Sequence, residues 1–428
     1  MYKPITDCRL CYETEFSDII DLGVHALTGV FPKSALEDIP AGPLHLIKCI
    51  NCGLVQLAHN YELGLLYGDT YGYRSGLNMS MVRHLRRKVS QVMDLVPLQA
   101  GDLVIDIGSN DATLLNSYPI AKLRKIGVDP SGAKFSKYYR QGVELIPEFF
   151  SANAVLSSTG GRRAKVVTSI AMFYDLERPR AFIEEILKVL DDDGIWLFEQ
   201  SYLPAMLRAC SYDTICHEHL EYYALEQIDH LLRRTGLKIV AVEENDANGG
   251  SFAVMAARRS ARYPEAQDAA QALLGREKEA RLNTMRPFDD FKEAIVRHRE
   301  ELQILLQQIH DRGETVFGYG ASTKGNVLLQ YCGIDQKLLP LIAEVNEDKF
   351  GAFTPGTRIP IVSEQEARSK APDYFLVLPW HFREGIVEKE RSFLEGGGRL
   401  IFPLPVLEIV SARGIDAAAK RAVAYQQD

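Results

Sequence analysis

The sequence contains no run of about 18 apolar residues, the length that a membrane-spanning helix needs. Its first residues, Met1 to Leu10, also lack the apolar segment of a secretory signal peptide. We therefore expect a cytoplasmic protein with no membrane partner.

An excess of basic residues is missing as well. The 428 residues include 49 Lys and Arg against 57 Asp and Glu, a formal net charge of -8. A general nucleic-acid binder would show the opposite balance, so we expect no nucleic-acid partner. With 46% hydrophobic and 25% charged residues the composition is globular. The length alone suggests roughly two to four domains.

Seven cysteines are an odd number for a disulfide framework, but four of them form two close pairs. The pairs are Cys8-x-x-Cys11 and Cys49-x-x-Cys52. Two such turns can direct four thiolates to one zinc ion in tetrahedral geometry. Because the protein would fill all four positions, we expect one structural zinc per chain. Four reduced core cysteines are the alternative.

Changes of pattern divide the chain into four regions. We expect a zinc-binding module in residues 1–75, a central domain in 76–262, a helical connector in 263–312 and a second domain in 313–428. From Leu103 onward, buried strands alternate with helical segments, which predicts α/β domains with parallel sheets. The first long helix is expected at Met79–Val96. The expected strands include Leu103–Ile107, Lys125–Val128, Val166–Ile170, Gly194–Phe198, Leu237–Val242, Ser251–Ala256, Thr315–Tyr319, Leu339–Val345, Tyr374–Pro379 and Arg399–Pro403.

A glycine turn follows the first of these strands and precedes a helix-like run. Its polar and glycine residues are Asp106, Gly108, Ser109, Asn110 and Asp111. The G-x-G-x-x-G pattern of dinucleotide sites is missing, so the turn favours a ligand without phosphates. An acidic group there suits the cationic amino-acid portion of S-adenosylmethionine. After the next strand, Asp129 can bind ribose hydroxyls. These features predict a class I methyltransferase domain, with a cofactor-free α/β domain as the alternative.

The segment from Tyr212 to Tyr223 is the densest polar patch of the chain. Its sequence His217-Glu218-His219 offers a general base that is active near neutral pH, with an adjacent carboxylate. H-E-x-x-H is absent, so a metal site is the weaker interpretation. We expect His219 to be the base, although single members of the patch could be core residues.

A second glycine turn contains Gly318, Gly320, Ser322, Lys324 and Asn326. Strand, turn and helix follow in order, so backbone N–H groups could bind a diphosphate, with Lys324 adding positive charge. An empty Rossmann-like fold is the alternative. Further candidates at the same rim, for contact with a nucleotide, are Glu344, Asn346, Trp380 and His381. Trp380 could equally be a core residue.

These motifs, in this order, resemble the sugar C-methyltransferases that act on nucleotide-linked 4-ketosugars. The resemblance covers nearly the whole chain and includes the cysteine pairs, Asp106–Asp111, Asp213–Tyr222, Asn248–Ser251, Gly318–Asn326 and Pro355–Pro360. It implies that the central domain binds S-adenosylmethionine and that the last domain holds the nucleotide of a nucleotide-diphosphate ketosugar. It also implies that His219 is the base, that Glu218 assists it, and that Tyr73, with Tyr71 as a second candidate, lines the cleft.

Two positions depart from the antibiotic-sugar members of that family. Cys216 stands where those members carry Tyr, and Met172-Phe173-Tyr174-Asp175 replaces a Cys-His pair. Both positions border the expected sugar site and therefore bear on which sugar is used.

The expected chemistry is removal of a proton beside the ketone by His219, followed by methylation of the resulting enolate carbon. Tyr73, Tyr174 or Tyr222 could donate to the enolate oxygen. Cys216, His217 and Asn248 are expected to contact the substrate. The alternatives are an oxygen methyltransferase on a related sugar, a zinc-containing NAD-dependent oxidoreductase and, as the weakest, a non-enzymatic binding module.

Overall fold

The computed structural model describes residues 1–66 and 73–416. Its N-terminal region is built on antiparallel strands and short helical pieces: β1 (Tyr2–Pro4), β2 (Phe16–Ala26), β3 (Ala41–Cys49), β4 (Val55–Leu57), β5 (His59–Tyr61), α1 (Leu63–Leu66) and α2 (Met79–Leu95). The 11-residue strand β2 was not predicted from the sequence. Register shifts in the pairing of β2 with β3 interrupt the two-residue alternation by which a strand is recognised.

The central region contains β6 (Leu103–Ile107), β7 (Arg124–Val128), β8 (Val143–Ile146), α3 (Ala152–Thr159), β9 (Ala164–Ile170), α4 (Pro179–Val189), β10 (Leu190–Ser201), α5 (Leu203–Arg208), β11 (Glu221–Tyr222), α6 (Leu225–Arg234), β12 (Leu237–Asn245) and β13 (Ser251–Arg258). Seven of these strands form one sheet of order β12-β13-β10-β9-β6-β7-β8. The predicted α/β class I methyltransferase fold is confirmed. The sheet is not wholly parallel as expected, because β13 runs antiparallel to both β10 and β12.

The helix expected after the first glycine turn is missing from the described residues. Asn110 and Ala112 take left-handed φ angles of 48° and 59°, which interrupt an α-helix. Only a short 3-10 turn, Leu115–Ser117, forms before Pro119. The polar residues of the turn therefore belong to an irregular loop at the carboxyl end of β6.

The remaining elements are α7 (Gln267–Glu279), α8 (Arg286–Asp311), β14 (Val316–Tyr319), α9 (Thr323–Tyr331), β15 (Ile342–Glu344), β16 (Ile361–Ser363), α10 (Glu364–Ser369), β17 (Tyr374–Val377), α11 (Arg383–Lys389), α12 (Arg391–Glu395), β18 (Arg399–Phe402), β19 (Glu408–Ser411) and β20 (Gly414–Asp416). The second sheet has the order β16-β15-β14-β17-β18-β19-β20. Its first five strands are parallel, and β19 and β20 add an antiparallel edge.

Strand pairing and a common buried core join the regions of the chain. Strand β11, which follows the His-Glu-His segment, pairs with β4 of the N-terminal sheet. One buried cluster joins Leu44 of β3, Tyr212 of the central region and Phe375 of β17. The segment that carries His219 is therefore held between the N-terminal sheet and the C-terminal region. Among the helices within residues 1–66 and 73–416, none has both the length and the apolar character that crossing a bilayer requires.

Candidate active site

The two cysteine pairs converge at the beginning of the chain. Cys8, Cys11, Cys49 and Cys52 place their sulfur atoms within 4.8 Å of one another. The Sγ atoms of Cys8 and Cys52 are 3.6 Å apart, and those of Cys11 and Cys49 are 3.5 Å apart. A tetrahedral shell with Zn–S bonds of about 2.3 Å needs S–S separations of about 3.8 Å, so the four thiolates fit one zinc ion. With all four positions filled by protein, the ion is structural.

A left-handed residue closes each cysteine turn. The residue after Cys11 is Tyr12, with a φ of 67°, and the residue after Cys52 is Gly53, with a φ of 72°. The N–H of Tyr12 donates to the Cys8 carbonyl, and the N–H of Gly53 donates to the Cys49 carbonyl. The chain thereby folds back toward the sulfur atoms in both turns.

The first glycine turn places carboxyl groups at the carboxyl end of β6. Asp106 is buried and accepts a hydrogen bond of 2.5 Å from the Thr168 hydroxyl. Burial raises the pKa of Asp106 to about 7. Gly108 has a φ of 73°, and a Cβ there would lie 3.3 Å from the Met172 side chain. A buried carboxyl group of this kind, beside exposed backbone, suits the cationic end of S-adenosylmethionine.

The neighbouring polar residues of the turn shape this loop. The Asn110 N–H donates to Asp129 Oδ2 at 2.7 Å, and Asp129 Oδ1 accepts from the Ser131 N–H. Asp129 directly follows β7 and so lies at the carboxyl end of that strand, the position at which Rossmann-type folds bind a ribose. Ser109 shares a hydrogen bond of 2.8 Å with the Tyr139 hydroxyl.

Residues 73–76 lie over the same loop. The Asn110 amide donates to the Tyr73 carbonyl at 3.0 Å, and Asp111 accepts from the Gly76 N–H at 2.9 Å. Asn110 and Asp111 thus anchor the segment that leads into α2. The Tyr73 side chain is 47% exposed. Tyr71 lies outside the described residues.

His219 has the geometry of a neutral base. Its Nδ1 lies 2.9 Å from the Thr214 carbonyl oxygen, which can only accept, so Nδ1 carries the proton and Nε2 keeps a lone pair to which none of the described residues donates. The Tyr174 ring packs edge-on against the imidazole with centroids 4.4 Å apart. Burial and the charge of Lys324 lower the pKa of His219 to about 3, so the ring is neutral at physiological pH but is a weaker base than the near-neutral imidazole expected from the sequence.

Glu218 and its neighbours form the wall next to His219. The Thr28 hydroxyl donates to Glu218 Oε2 at 3.4 Å. Burial raises the pKa of the Glu218 carboxyl above its usual value. Cys216 is fully buried, and the Tyr222 hydroxyl donates to the Thr214 carbonyl at 3.3 Å.

Two predicted substrate ligands are instead bonded to other segments. His217 is fully buried; its Nε2 lies 3.2 Å from the Gly42 carbonyl, and its ring meets Tyr61 edge-on. Asn326 is also fully buried and donates its amide to the Thr28 carbonyl at 2.7 Å. Both side chains therefore connect the N-terminal region to the segments around the site. Asn326 Oδ1 has no hydrogen-bond partner among the described residues.

The second glycine turn joins the site from the C-terminal region. Gly320 has a φ of 80°, and Ser322 caps α9 by accepting from the Gly325 N–H at 3.0 Å. A Cβ on Gly318 would lie 2.6 Å from Ile342, so close strand packing requires that glycine. Glu344 accepts from the Ala321 N–H at 2.8 Å and stabilises the turn.

Four predicted residues, Asn248, Lys324, Trp380 and His381, lie in or beside this turn. The Lys324 ammonium donates to the Asn248 carbonyl at 2.7 Å. Trp380 is buried and donates its indole N–H to Asp213 Oδ2 at 2.8 Å, which favours a core role over stacking on a base. His381 lies beside the Trp380 ring. Both aromatic residues belong to a 3-10 turn after β17 and not to the strand itself.

Sequence reasoning missed several residues of the site. Gly29 lies against Glu218, and a Cβ there would come 2.3 Å from Glu218 Oε1. Lys349 donates to the Ala321 carbonyl at 2.7 Å. No local motif marks either residue. Glu199 lies two residues before the end of strand β10 and binds His84 and Lys88 of α2; a carboxylate inside a buried strand was the available signal.

Three family profiles match successive parts of the chain. Residues 8–67 match a family described as a zinc binding domain, and residues 81–242 match a methyltransferase domain. Residues 246–405 match the C-methyltransferase C-terminal domain.

One curated relative is similar over nearly its whole length. C-methyltransferase NovU of Streptomyces niveus is 32% identical over 415 residues, which are 96% of this chain and 98% of the relative. A solved methyltransferase complex with the Trm112 activator of Haloferax volcanii shares 13% identity over 43% of this chain and 94% of that chain, with a TM-score of 0.35. The plantazolicin methyltransferase BpumL, solved with a substrate analogue and SAH, shares 13% identity over 43% and 88%, with a TM-score of 0.34. Since the identity with the curated relative extends over almost all of both chains, this protein belongs to the C-methyltransferase family, enzymes that use S-adenosylmethionine and carry a zinc-binding module.

Proposed function

We propose that this C-methyltransferase acts on a nucleotide-linked 4-ketosugar and methylates the carbon beside the ketone, for deoxysugar or surface-polysaccharide synthesis. The observation that carries the proposal is the neutral imidazole of His219, whose Nδ1 is bonded to the Thr214 carbonyl and whose Nε2 has no hydrogen-bond donor within residues 1–66 and 73–416. A carbon nucleophile must be generated before a methyl group can be transferred to it. A base next to a ketone generates one as an enolate.

Different residues of the chain would bind the cofactor, remove the proton and orient the sugar. S-adenosylmethionine, when bound, supplies an electrophilic methyl group, and Asp106 and Asp129 are the carboxyl groups placed to hold its amino-acid and ribose portions. His219 takes the proton from the carbon at Nε2. Glu218 orients a sugar hydroxyl or the base, and the Tyr174 ring fixes the imidazole by packing against it.

The C-terminal sheet supports the nucleotide part of the proposal. The turn from Gly318 to Ser322 precedes the nine-residue helix α9, whose first N–H groups can bind a phosphate. The half-buried Lys349 donates to the same turn and contributes positive charge in a chain that is acidic overall. This arrangement suits the diphosphate of a nucleotide sugar.

The test is a panel of nucleoside-diphosphate 4-ketosugars incubated with protein and methyl donor and read by mass spectrometry. We expect one substrate to gain a methyl group, and NMR should show the new methyl on a ring carbon. A methyl bonded to oxygen would contradict the proposal and support the oxygen-methyltransferase alternative. Methylation of none of the panel would contradict the ketosugar assignment.

A further inference from the structure

Lys324 reaches the reaction centre from a different region of the chain than His219. It occupies the first turn of α9, which packs against the turn Tyr212–Thr214 of the central region. Its ammonium donates to the Asn248 carbonyl at 2.7 Å, and Asn248 adopts a left-handed φ of 54°. Lys324 is therefore fixed by the central region and not by the glycine turn that precedes it.

The groups that face this ammonium belong to the His-Glu-His side of the cleft. Asp213, Cys216, His219 and His381 all interact with the Lys324 charge. Asp213 is only 1% exposed; its Oδ2 accepts from Trp380, while its Oδ1 has no hydrogen-bond partner among the described residues. The His381 Nδ1 is likewise buried and unpaired within that part of the chain. Unpaired buried polar atoms at one spot point to a polar ligand there.

The second glycine turn has another cation of its own. Lys349 donates to the Ala321 carbonyl inside the turn, at 2.7 Å. The positive charge at the diphosphate end of the cleft can thus come from Lys349. Lys324 makes one hydrogen bond to the described residues, which leaves two of its three N–H donors for a ligand at the sugar end.

We propose that Lys324 is a catalytic residue that donates to the ketone oxygen of the substrate and stabilises the enolate. This inference rests on the proposed function. As the proton leaves carbon for His219 Nε2, the C–H electron pair forms the C=C bond and the carbonyl pair moves onto oxygen. The ammonium meets that negative charge and keeps its own proton. When the methyl group is transferred, the C=C pair forms the new bond to the methyl carbon and the oxygen pair restores the C=O bond. The pair of the broken S–CH₃ bond stays on the sulfur of the departing S-adenosylhomocysteine.

Exchange of the substrate's carbon-bound hydrogen with D₂O measures enolisation alone, without methyl transfer. The protein is incubated in D₂O with each ketosugar and S-adenosylhomocysteine, and deuterium uptake at the carbon beside the ketone is followed by NMR. In Lys324→Met we expect the exchange rate at saturating substrate to fall by roughly 100-fold or more, as loss of one oxyanion donor does. Calorimetry with uridine and thymidine diphosphates should give affinities within about threefold of the wild type, since the lysine does not contact the diphosphate.

Two further variants sharpen the result. Lys324→Arg keeps the charge and should retain part of the exchange. Lys370→Met removes an exposed lysine of a surface ion pair and should leave exchange unchanged. Normal exchange in Lys324→Met would overturn the role of Lys324, and so would a loss confined to nucleoside-diphosphate affinity. Absence of exchange in the wild type with every ketosugar would instead overturn the proposed function, and this inference with it.

Discussion

Gln56 lies directly opposite Glu221 in the pairing of β4 with β11, and its amide donates to the Cys8 sulfur at 3.3 Å. One side chain thus connects the cysteine cluster to a strand that begins two residues after His219. A hydrogen bond to a metal-ligating thiolate orients that ligand. The zinc site therefore helps to hold the strand that follows His219, although its cysteines take no part in the proposed reaction.

Cys49→Ser tests this support. We expect loss of the zinc ion, a lower melting temperature and loss of turnover, because the cluster that holds β4 can no longer close. Elemental analysis, calorimetric unfolding and the methyl-transfer assay measure the three effects. Cys210→Ser is the matched control, since Cys210 is a half-buried thiol outside the cluster. A zinc-free Cys49→Ser protein with full turnover would contradict the prediction.

His219→Asn removes the proposed base and keeps a polar side chain of similar shape. We expect turnover to fall by roughly 100-fold to 10,000-fold, the usual contribution of a general base. Affinity for S-adenosylhomocysteine should stay near the wild-type value, because Asp106 and Asp129, the residues proposed to bind the cofactor, lie in β6 and directly after β7, away from His219 in the sequence. Rate assays and calorimetry on the same preparation check both statements. Near-normal turnover would exclude His219 from the mechanism.

Gly29→Ala perturbs Glu218 from the other side of the cleft. The new Cβ would lie 2.3 Å from Glu218 Oε1, so the carboxyl group must move. We expect turnover to fall by about tenfold, while cofactor affinity is unchanged. Gly275→Ala is the control: the added Cβ meets no atom within 4 Å, and alanine favours the helix there. Equal turnover in both variants would show that the position of Glu218 is not critical.

Cofactor affinity should depend on pH through Asp106. Burial raises the pKa of this carboxyl to about 7, so the group is protonated below that pH and charged above it. A cationic ligand favours the charged form. The affinity for S-adenosylhomocysteine should therefore rise between about pH 6 and about pH 8, by up to about tenfold per pH unit below 7. Asp106→Asn should bind more weakly and lose this dependence in calorimetric titrations at several pH values.

The fold was largely predictable where the chain follows simple periods. Strand β6, Leu103–Ile107, was predicted residue for residue, because a fully buried parallel strand is a continuous apolar run. The direction of β13 was not predictable, since a buried antiparallel strand has the same composition. The helix expected after Gly108 was wrong because left-handed φ angles at Asn110 and Ala112 depend on the surrounding loop and leave no pattern in the sequence.

For the site, motifs identified individual residues but not their partners. His219 and Lys324 were both singled out, yet they were assigned to opposite ends of the substrate. Only tertiary structure shows that Lys324 bonds to Asn248 and lies near enough to His219 for its charge to act on the imidazole. Gly29 was missed because its importance is steric and lies in a contact with a residue far along the chain.

Thr28 touches two other regions at once: its hydroxyl donates to Glu218, and its carbonyl accepts from Asn326. In a chimera that takes only its C-terminal region from a homologue, Asn326 would be replaced while its partner Thr28 stays. The two positions would then come from different proteins although they bond to each other. Transferring specificity between members of this family should require exchanging Thr28 and Gly29 together with the C-terminal region.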